Sequence, residues 1–329
     1  MLKAYQGYHP RQFVRVMVPA ILFWLPAFLM PEVFPQKIFF SGSPVLSFPG
    51  TQPGLPAATV ALMAFFFWLV TGYLLVALNH RYLFLKTRSL LPLFFFLTLT
   101  SPVLGLSEIN NFTLTIPVFV IILHIVFRTY RNNRIDLSFY AAAFWIGMAS
   151  LLSLKSSFFM IVIWISLLSL RPFYPREWLV SLFGFFTPWF LYLGIFYLLG
   201  YPPASLTGNI LPAFLSTHPG QPLTTLQYIF LIYLGILTIA GTVFLFLSLP
   251  AMKTRSRKFH IIFFWTAVLA FFLMFRFRTD WSSFFTFLAI PLSFLFAFFF
   301  AGERSSLVKR ILFDLYFAGI IAIIVAGMA

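Results

Sequence analysis

Cysteine is absent from the 329 residues, and charge is scarce: 9% of positions are Asp, Glu, Lys or Arg, and only seven are acidic. Without cysteine there is no disulfide, no thiolate nucleophile and no cysteine-ligated metal. With so little charge the chain cannot clothe a water-facing surface, for which about 25% charged residues is usual. No polar stretch is long enough to build a soluble appendage, and neither a G-x-x-x-x-G-K-[ST] loop nor a dinucleotide fingerprint occurs. The histidines, His9, His80, His124, His218 and His260, are scattered and lack H-x-x-x-H or H-x-x-E-H spacing. They supply no converging ligand set, so neither a metal nor another cofactor is expected. No internal repeat, inverted repeat or low-complexity segment is visible.

What the chain has in abundance is apolar length. Hydrophobic residues make up 61% of it, and Phe alone accounts for 48 positions. A membrane-spanning helix needs about 20 apolar residues. Such runs cover 13–30, 57–79, 89–106, 114–128, 137–153, 158–170, 178–199, 226–250, 261–275, 284–301 and 311–327. None shows the period-two alternation of barrel strands. The expected fold is therefore all-α: one polytopic integral-membrane domain, residues 1–329, with about 11 transmembrane helices. The runs 114–128 and 158–170 are short, so flanking residues complete them or they stop before crossing. The basic-then-apolar N-terminus lacks a small-x-small cleavage site and reads as an uncleaved first helix.

Basic residues orient the stack. With the N-terminus in the cytoplasm, all 22 Lys and Arg fall in inside segments except Lys37, Lys155, Arg276 and Arg278. This alternation predicts a cytoplasmic N-terminus and an external C-terminus. It also accounts for the net charge of +15 as a topology signal and an attraction to anionic lipid, with no nucleic-acid role. The outer segments 31–56 and 200–225 are rich in Pro, Gly and Ser. Each holds an apolar patch, Ile38–Phe40 and Ile210–Leu215, that suits either a short interfacial element or a plain loop.

Three acids, Glu32, Glu108 and Asp280, fall on the outer side just beyond apolar runs, at the depth of the outer cations. Lys155 lies in the turn "SLKSSFF", and Arg276 and Arg278 lie in "RFRTDW" beside Asp280. A carboxylate there can serve as a general base toward a hydroxyl acceptor. Arg and Lys can clamp a phosphate, guanidinium in a bidentate manner. Glu32 and Glu108 are thus the candidate catalytic pair. Lys155, Arg276, Arg278, Asp280, Asn110 and Asn111 are the candidate substrate or phosphate-binding set. The competing reading is structural, with Arg278 and Asp280 as an interfacial ion pair. Three smaller features complete the inventory. "NFT" at 111–113 matches a glycosylation sequon, Asp314 is placed to pair with Arg310 one turn away, and glycines 147 and 194 suggest close helix packing.

The stretch 79–200 resembles a domain-of-unknown-function family of multi-pass membrane proteins of Bacteroidetes. The resemblance rests on "LNHRYLFLKTRSLLPLFFFLTLT", "LSEINNFTLTIPVFVIILHIVFRTYRNN" and an aromatic helix pair followed by "RPFYPREW". It implies no activity. More loosely, the order of elements is similar to membrane glycosyltransferases of the lipid-carrier-dependent GT-C kind. "MPEVF" sets Glu32 after the first span, and Glu108 stands in the next outer loop. That resemblance implies a transferase acting on a lipid-linked sugar phosphate at the outer leaflet, with outer Arg and Lys on the carrier phosphate. The absence of a D-x-D or E-x-D pair sets this chain apart from metal-using members. Two rival classes remain: a non-catalytic subunit of an envelope assembly, and a transporter or flippase.

Overall fold

The computed structural model describes residues 10–30, 38–39, 56–85, 89–104, 109–130, 135–170, 174–200, 223–302 and 307–328. Within them the chain forms eleven α-helices: α1 (Pro10–Leu29), α2 (Ala57–Tyr82), α3 (Leu91–Leu99), α4 (Ile116–Arg128), α5 (Ile135–Leu152), α6 (Phe159–Leu170), α7 (Pro175–Leu198), α8 (Thr225–Ser248), α9 (Thr254–Arg276), α10 (Trp281–Ala301) and α11 (Leu307–Met328). Each lies on one of the apolar runs. The chemical reason is that a long apolar segment away from water has to satisfy its backbone groups within itself. Six helices, α2 and α7 to α11, are long and apolar enough to cross a membrane. The outward faces agree. Phe183, Phe190, Leu198, Phe272 and Leu247 are all more than 60% exposed, a pattern that suits lipid and not water.

Local signals set the ends. Prolines open α3, α4 and α7 near their first turns, where a missing N–H costs nothing. Thr224 and Gln227 form a reciprocal capping box at the start of α8. α2 ends on Leu83 in a left-handed conformation, φ 53. The buried Asn79 side chain then holds the following turn, accepting from Leu85 N at 3.3 Å and donating to Ser89 O at 3.3 Å.

The two short runs are extended by 3-10 turns, Thr113–Thr115 before α4 and Leu154–Phe158 before α6. α3 is different. Its nine residues are all buried and rise only about 14 Å. A short helix is tolerated at membrane depth because protein surrounds it. α3 packs against α2 and α10, and α10 is the axis of the molecule: 89% of its span is buried, against 22% for α7 and α11. Phe carries much of this packing. The Phe119 ring lies 4.6 Å from Phe159 and 4.9 Å from Phe287, and Phe263 stacks on Phe294 at 4.6 Å. Where lipid is as apolar as the side chains, such contacts supply the cohesion between helices.

α5 and α7 run parallel and in close contact. A Cβ added at Gly147 would sit 2.4 Å from Phe185 O, and one at Gly184 would sit 2.5 Å from Tyr140 O. Gly147 thus packs as expected. Gly194 does not, having nothing within 4 Å of such a Cβ, and Gly184 takes the role instead. Tyr140 Oη meets Thr187 Oγ1 at 2.9 Å, and Trp189 Nε1 donates to Ser150 Oγ at 2.8 Å along the same seam.

Successive helices reverse direction, so their turns gather at two ends. At the first end, Ile38–Phe39 (β1) pairs in parallel with Ile109–Asn110 (β2), tying the segment after α1 to the segment before α4. This pairing, and not an independent interfacial element, is what that part of the Ile38–Phe40 patch forms; 210–215 lies outside the described residues. Gln227 Nε2 donates to Val103 O at 3.0 Å, bringing the start of α8 to the same end. At the second end, Tyr82 Oη donates to His124 O at 3.0 Å. Arg255 lies over the rings of Tyr82, Phe259 and Tyr130, and Lys258 donates to Leu170 O. Lys309 lies 4.0 Å from the Phe244 ring centroid, also at the second end.

Candidate functional site

The polar set at the first end is built from two sharp turns. α9 stops at Arg276 because Phe277 leaves helical geometry, φ −112 and ψ 63. A 3-10 turn, Arg278–Asp280, leads directly into α10. This compact reversal turns Arg276 and Arg278 outward and carries Asp280 inward. Both arginines are exposed, and Asp280 is 2% exposed. On the facing side, Ser153 adopts an extended conformation that ends α5, and the 3-10 turn Leu154–Phe158 buries Lys155 to 6% exposure.

The turns meet through charge. Lys155 Nζ donates to Asp280 Oδ2 in a buried ion pair, joining residues 125 positions apart. Asp280 occupies the N-cap position of α10, where an aspartate ordinarily accepts from the helix N–H groups; its side chain makes no such bond. Phe277 is shared by two cations, with Lys155 Nζ 5.7 Å and Arg276 Cζ 5.4 Å from its centroid. Its ring stacks on Phe284 at 5.3 Å, which fixes it against α10.

The amides join the same corner as scaffold. Asn110 Nδ2 donates to Ser283 Oγ at 2.5 Å, and Asn110 Oδ1 accepts from the N–H groups of Phe112 and Thr113 at 3.0 and 2.9 Å. Asn110 thus ties the turn before α4 to the start of α10. Asn111 is 6% exposed, so the sequon at 111–113 presents a buried asparagine. Thr115 Oγ1 and Ser156 Oγ lie 2.7 Å apart and link this turn to that of Lys155.

Of the residues read from sequence, Lys155, Asp280, Asn110, Arg276 and Arg278 therefore lie in one neighbourhood, on turns bonded to one another or adjacent along the chain. Glu32 and Glu108 lie outside the described residues. Two pairings differ from the sequence reading. Asp280 takes Lys155 and not Arg278, and Arg310 and Asp314 form no ion pair. Among the described residues, Arg278 has no hydrogen-bonding or ion-pair partner, so its guanidinium is available to an anion. Phe277 and Ser283 are the parts the sequence reading missed. The visible signal for Ser283 was "WSSFF", two hydroxyls opening a helix otherwise dense in Phe.

Chemically, the corner is a neutralised buried pair supporting two exposed guanidinium groups two residues apart. Exposed guanidinium groups of this kind can hold the oxygens of a phosphate or diphosphate. No protein-family model, no curated protein and no solved structure matches this chain.

Proposed function

We propose that the chain is a multi-pass protein of the bacterial cytoplasmic membrane that binds a lipid-linked sugar phosphate, or a similar envelope precursor, at the outer leaflet. In this reading the polypeptide crosses eleven times, with the N-terminus in the cytoplasm and the C-terminus outside. Arg276 and Arg278 hold the phosphate. Lys155 and Asp280 fix the two turns that present them. Glu32 and Glu108 supply the acid/base chemistry of a GT-C-like transferase. The observation that carries the proposal is the convergence of Lys155 and Asp280, from distant turns, at a turn that also bears the exposed Arg276 and Arg278. The sorting of cations supports the orientation. Arg81, Arg128, Arg255, Lys258 and Lys309 lie at or near the second end, and the described outer cations lie at the first.

A second reading, a non-catalytic subunit of an envelope assembly, draws on the burial of the Lys155–Asp280 pair, which also suits a purely structural strut. A transporter or flippase is less well supported. Several buried hydroxyls within the helices bond to their own helix, as Thr71 to Phe67 O, Ser166 to Val162 O and Thr266 to Ile262 O do, and Thr98 and Tyr316 satisfy each other between α3 and α11. Hydroxyls satisfied in this way offer nothing to a passing polar substrate.

The test is genetic and biochemical. Glu32→Gln, Glu108→Gln and the double variant Arg276→Gln/Arg278→Gln are expected to abolish the surface-glycan phenotype while membrane protein levels stay normal. Normal glycans in all three, at normal protein level, would remove the transferase reading in favour of the subunit.

A further inference from the structure

Three helix ends meet at the second end of the molecule, and each brings an arginine. Arg81 stands in the last turn of α2, Arg128 is the last residue of α4, and Arg255 is the second residue of α9. Between them lies a cluster of aromatic rings. Phe259 is 4.4 Å from Phe127 and 5.5 Å from Tyr82, and the Tyr82 hydroxyl is already spent on His124 O. Arg255 Cζ lies 5.1 Å and Arg81 Cζ 5.9 Å from the centroid of the same Tyr82 ring. Arg128 joins these two in acting electrostatically on Tyr82. Three guanidinium groups from three separate helices are thus gathered around one side chain.

Helix energetics account for only part of this gathering. A cation suits the C-terminal ends of α2 and α4, but Arg255 sits in the first turn of α9, where the helix dipole opposes positive charge. Arg257 follows in the same turn, which holds no acid. Lys258 is committed elsewhere, to Leu170 O at 3.1 Å. Arg81, Arg128 and Arg255 are exposed, and among the described residues none of them has a hydrogen-bonding or ion-pair partner. Ring faces attract each guanidinium group, but they do not neutralise it, and like charges brought together repel. The sorting of cations to one side of the membrane places arginines somewhere in these segments. It does not bring three of them to one ring.

The helix faces below the arginines select the ligand. On α2, Val70, Leu74, Ala77 and Arg81 follow one another at helical spacing, and on α4 Ile121, Ile125 and Arg128 do the same. Both helices are unbroken over these stretches, and they pack against each other. Val70 is 57% and Ile121 41% exposed, so each arginine heads an apolar stripe that is open to hydrocarbon. A free phosphate would engage the guanidinium groups alone. An anion that carries its own hydrocarbon covers both the charges and the stripes. We infer that Arg81, Arg128 and Arg255 bind the phosphodiester headgroup of an anionic phospholipid, whose chains lie along the exposed stripes of α2 and α4. The site is at the opposite end of the molecule from Arg276 and Arg278, and it stands whether or not those residues hold a substrate phosphate.

The test is lipid retention by the full chain, purified in detergent and measured by native mass spectrometry. The probes are dioleoyl phosphatidylglycerol and dioleoyl phosphatidylcholine, which share their chains and differ in net charge. The wild type is expected to prefer phosphatidylglycerol by about tenfold, corresponding to about 1.4 kcal/mol. Arg81→Gln/Arg128→Gln/Arg255→Gln is expected to lose that preference. Lys253→Gln/Arg257→Gln/Arg310→Gln removes the same charge from exposed positions at the same end and keeps it, as does Arg276→Gln/Arg278→Gln at the other end. Excess glycerol 3-phosphate, the soluble headgroup chemistry without chains, leaves the bound lipid in place. Equal retention of the two lipids by the wild type overturns the proposal, and that comparison needs no variant to fold. So does a monodisperse Arg81→Gln/Arg128→Gln/Arg255→Gln variant with its preference intact. An equal loss in the Lys253, Arg257 and Arg310 variant would reduce the preference to overall charge, and displacement by glycerol 3-phosphate would make the site one for a soluble phosphate; either result removes the lipid site.

Discussion

Lys155 and Asp280 bring opposite charges into a place nearly closed to water, with side chains 8% and 3% exposed. Such a pair is worth little compared with well-packed apolar replacements, but breaking it strands a charge at a cost of about 3–5 kcal/mol. Lys155→Met and Asp280→Asn are each expected to destabilise the protein by that order. Lys155→Met/Asp280→Asn should lose much less than the sum. Thermal unfolding in detergent, analysed as a double-mutant cycle, measures this; strictly additive losses would mean that the two side chains do not depend on each other. The identity of the partner was not legible in "RFRTDW". Arg278 is exposed while Asp280 is buried, so the sequence neighbour is not the partner. The cation that satisfies Asp280 comes from a turn 125 residues away, and no local rule names it.

At the level of helices, the seam between α5 and α7 shows how much a glycine means in context. Gly147 and Gly184 let two backbones approach until a methyl group would meet a carbonyl oxygen at 2.4 and 2.5 Å. Neither oxygen can move without disturbing its helix. Gly147→Ala and Gly184→Ala are expected to cost about 1–3 kcal/mol each by overpacking, with Gly194→Ala close to neutral. Unfolding midpoints of the three variants provide the comparison; equal effects at all three positions would refute close packing as the cause. In the sequence, Gly147 and Gly194 look alike because both interrupt apolar helices. Only the neighbour across the seam separates them. α3 teaches the same lesson. Its run reads as one span with its flanks, 89–106, yet the regular helix is Leu91–Leu99, enclosed on every side. The hydrophobicity that suggests a lipid-facing span is equally what a core helix needs.

For the molecule as a whole, the reversal of successive helices gives two ends with different chemistry. Thr279 is exposed at the end of the arginine corner, and Lys253 is exposed at the other end of α9. Because the chain has no cysteine, Thr279→Cys and Lys253→Cys each supply a unique label site. A membrane-impermeant maleimide added to intact spheroplasts is expected to modify Thr279→Cys. Lys253→Cys should react only after permeabilisation. Modification of both from one side would contradict a crossing by α9 and dissolve the proposed outer rim.

Segment composition was enough to predict the helices and to divide the loops into a basic set and a sparse set. Apolar length and the position of charge are properties of each segment taken alone, and the cost of exposing backbone or charge to hydrocarbon acts on each segment separately. Lateral arrangement is another matter. These helices are apolar on most faces, so no periodic stripe says which neighbour a face will meet. The choice of α10 as the axis and the union of Lys155 with Asp280 were decided by shape. Between helices in an apolar medium, the contacts that discriminate are van der Waals fit and a few buried polar bonds, and these exist only once the whole bundle has assembled.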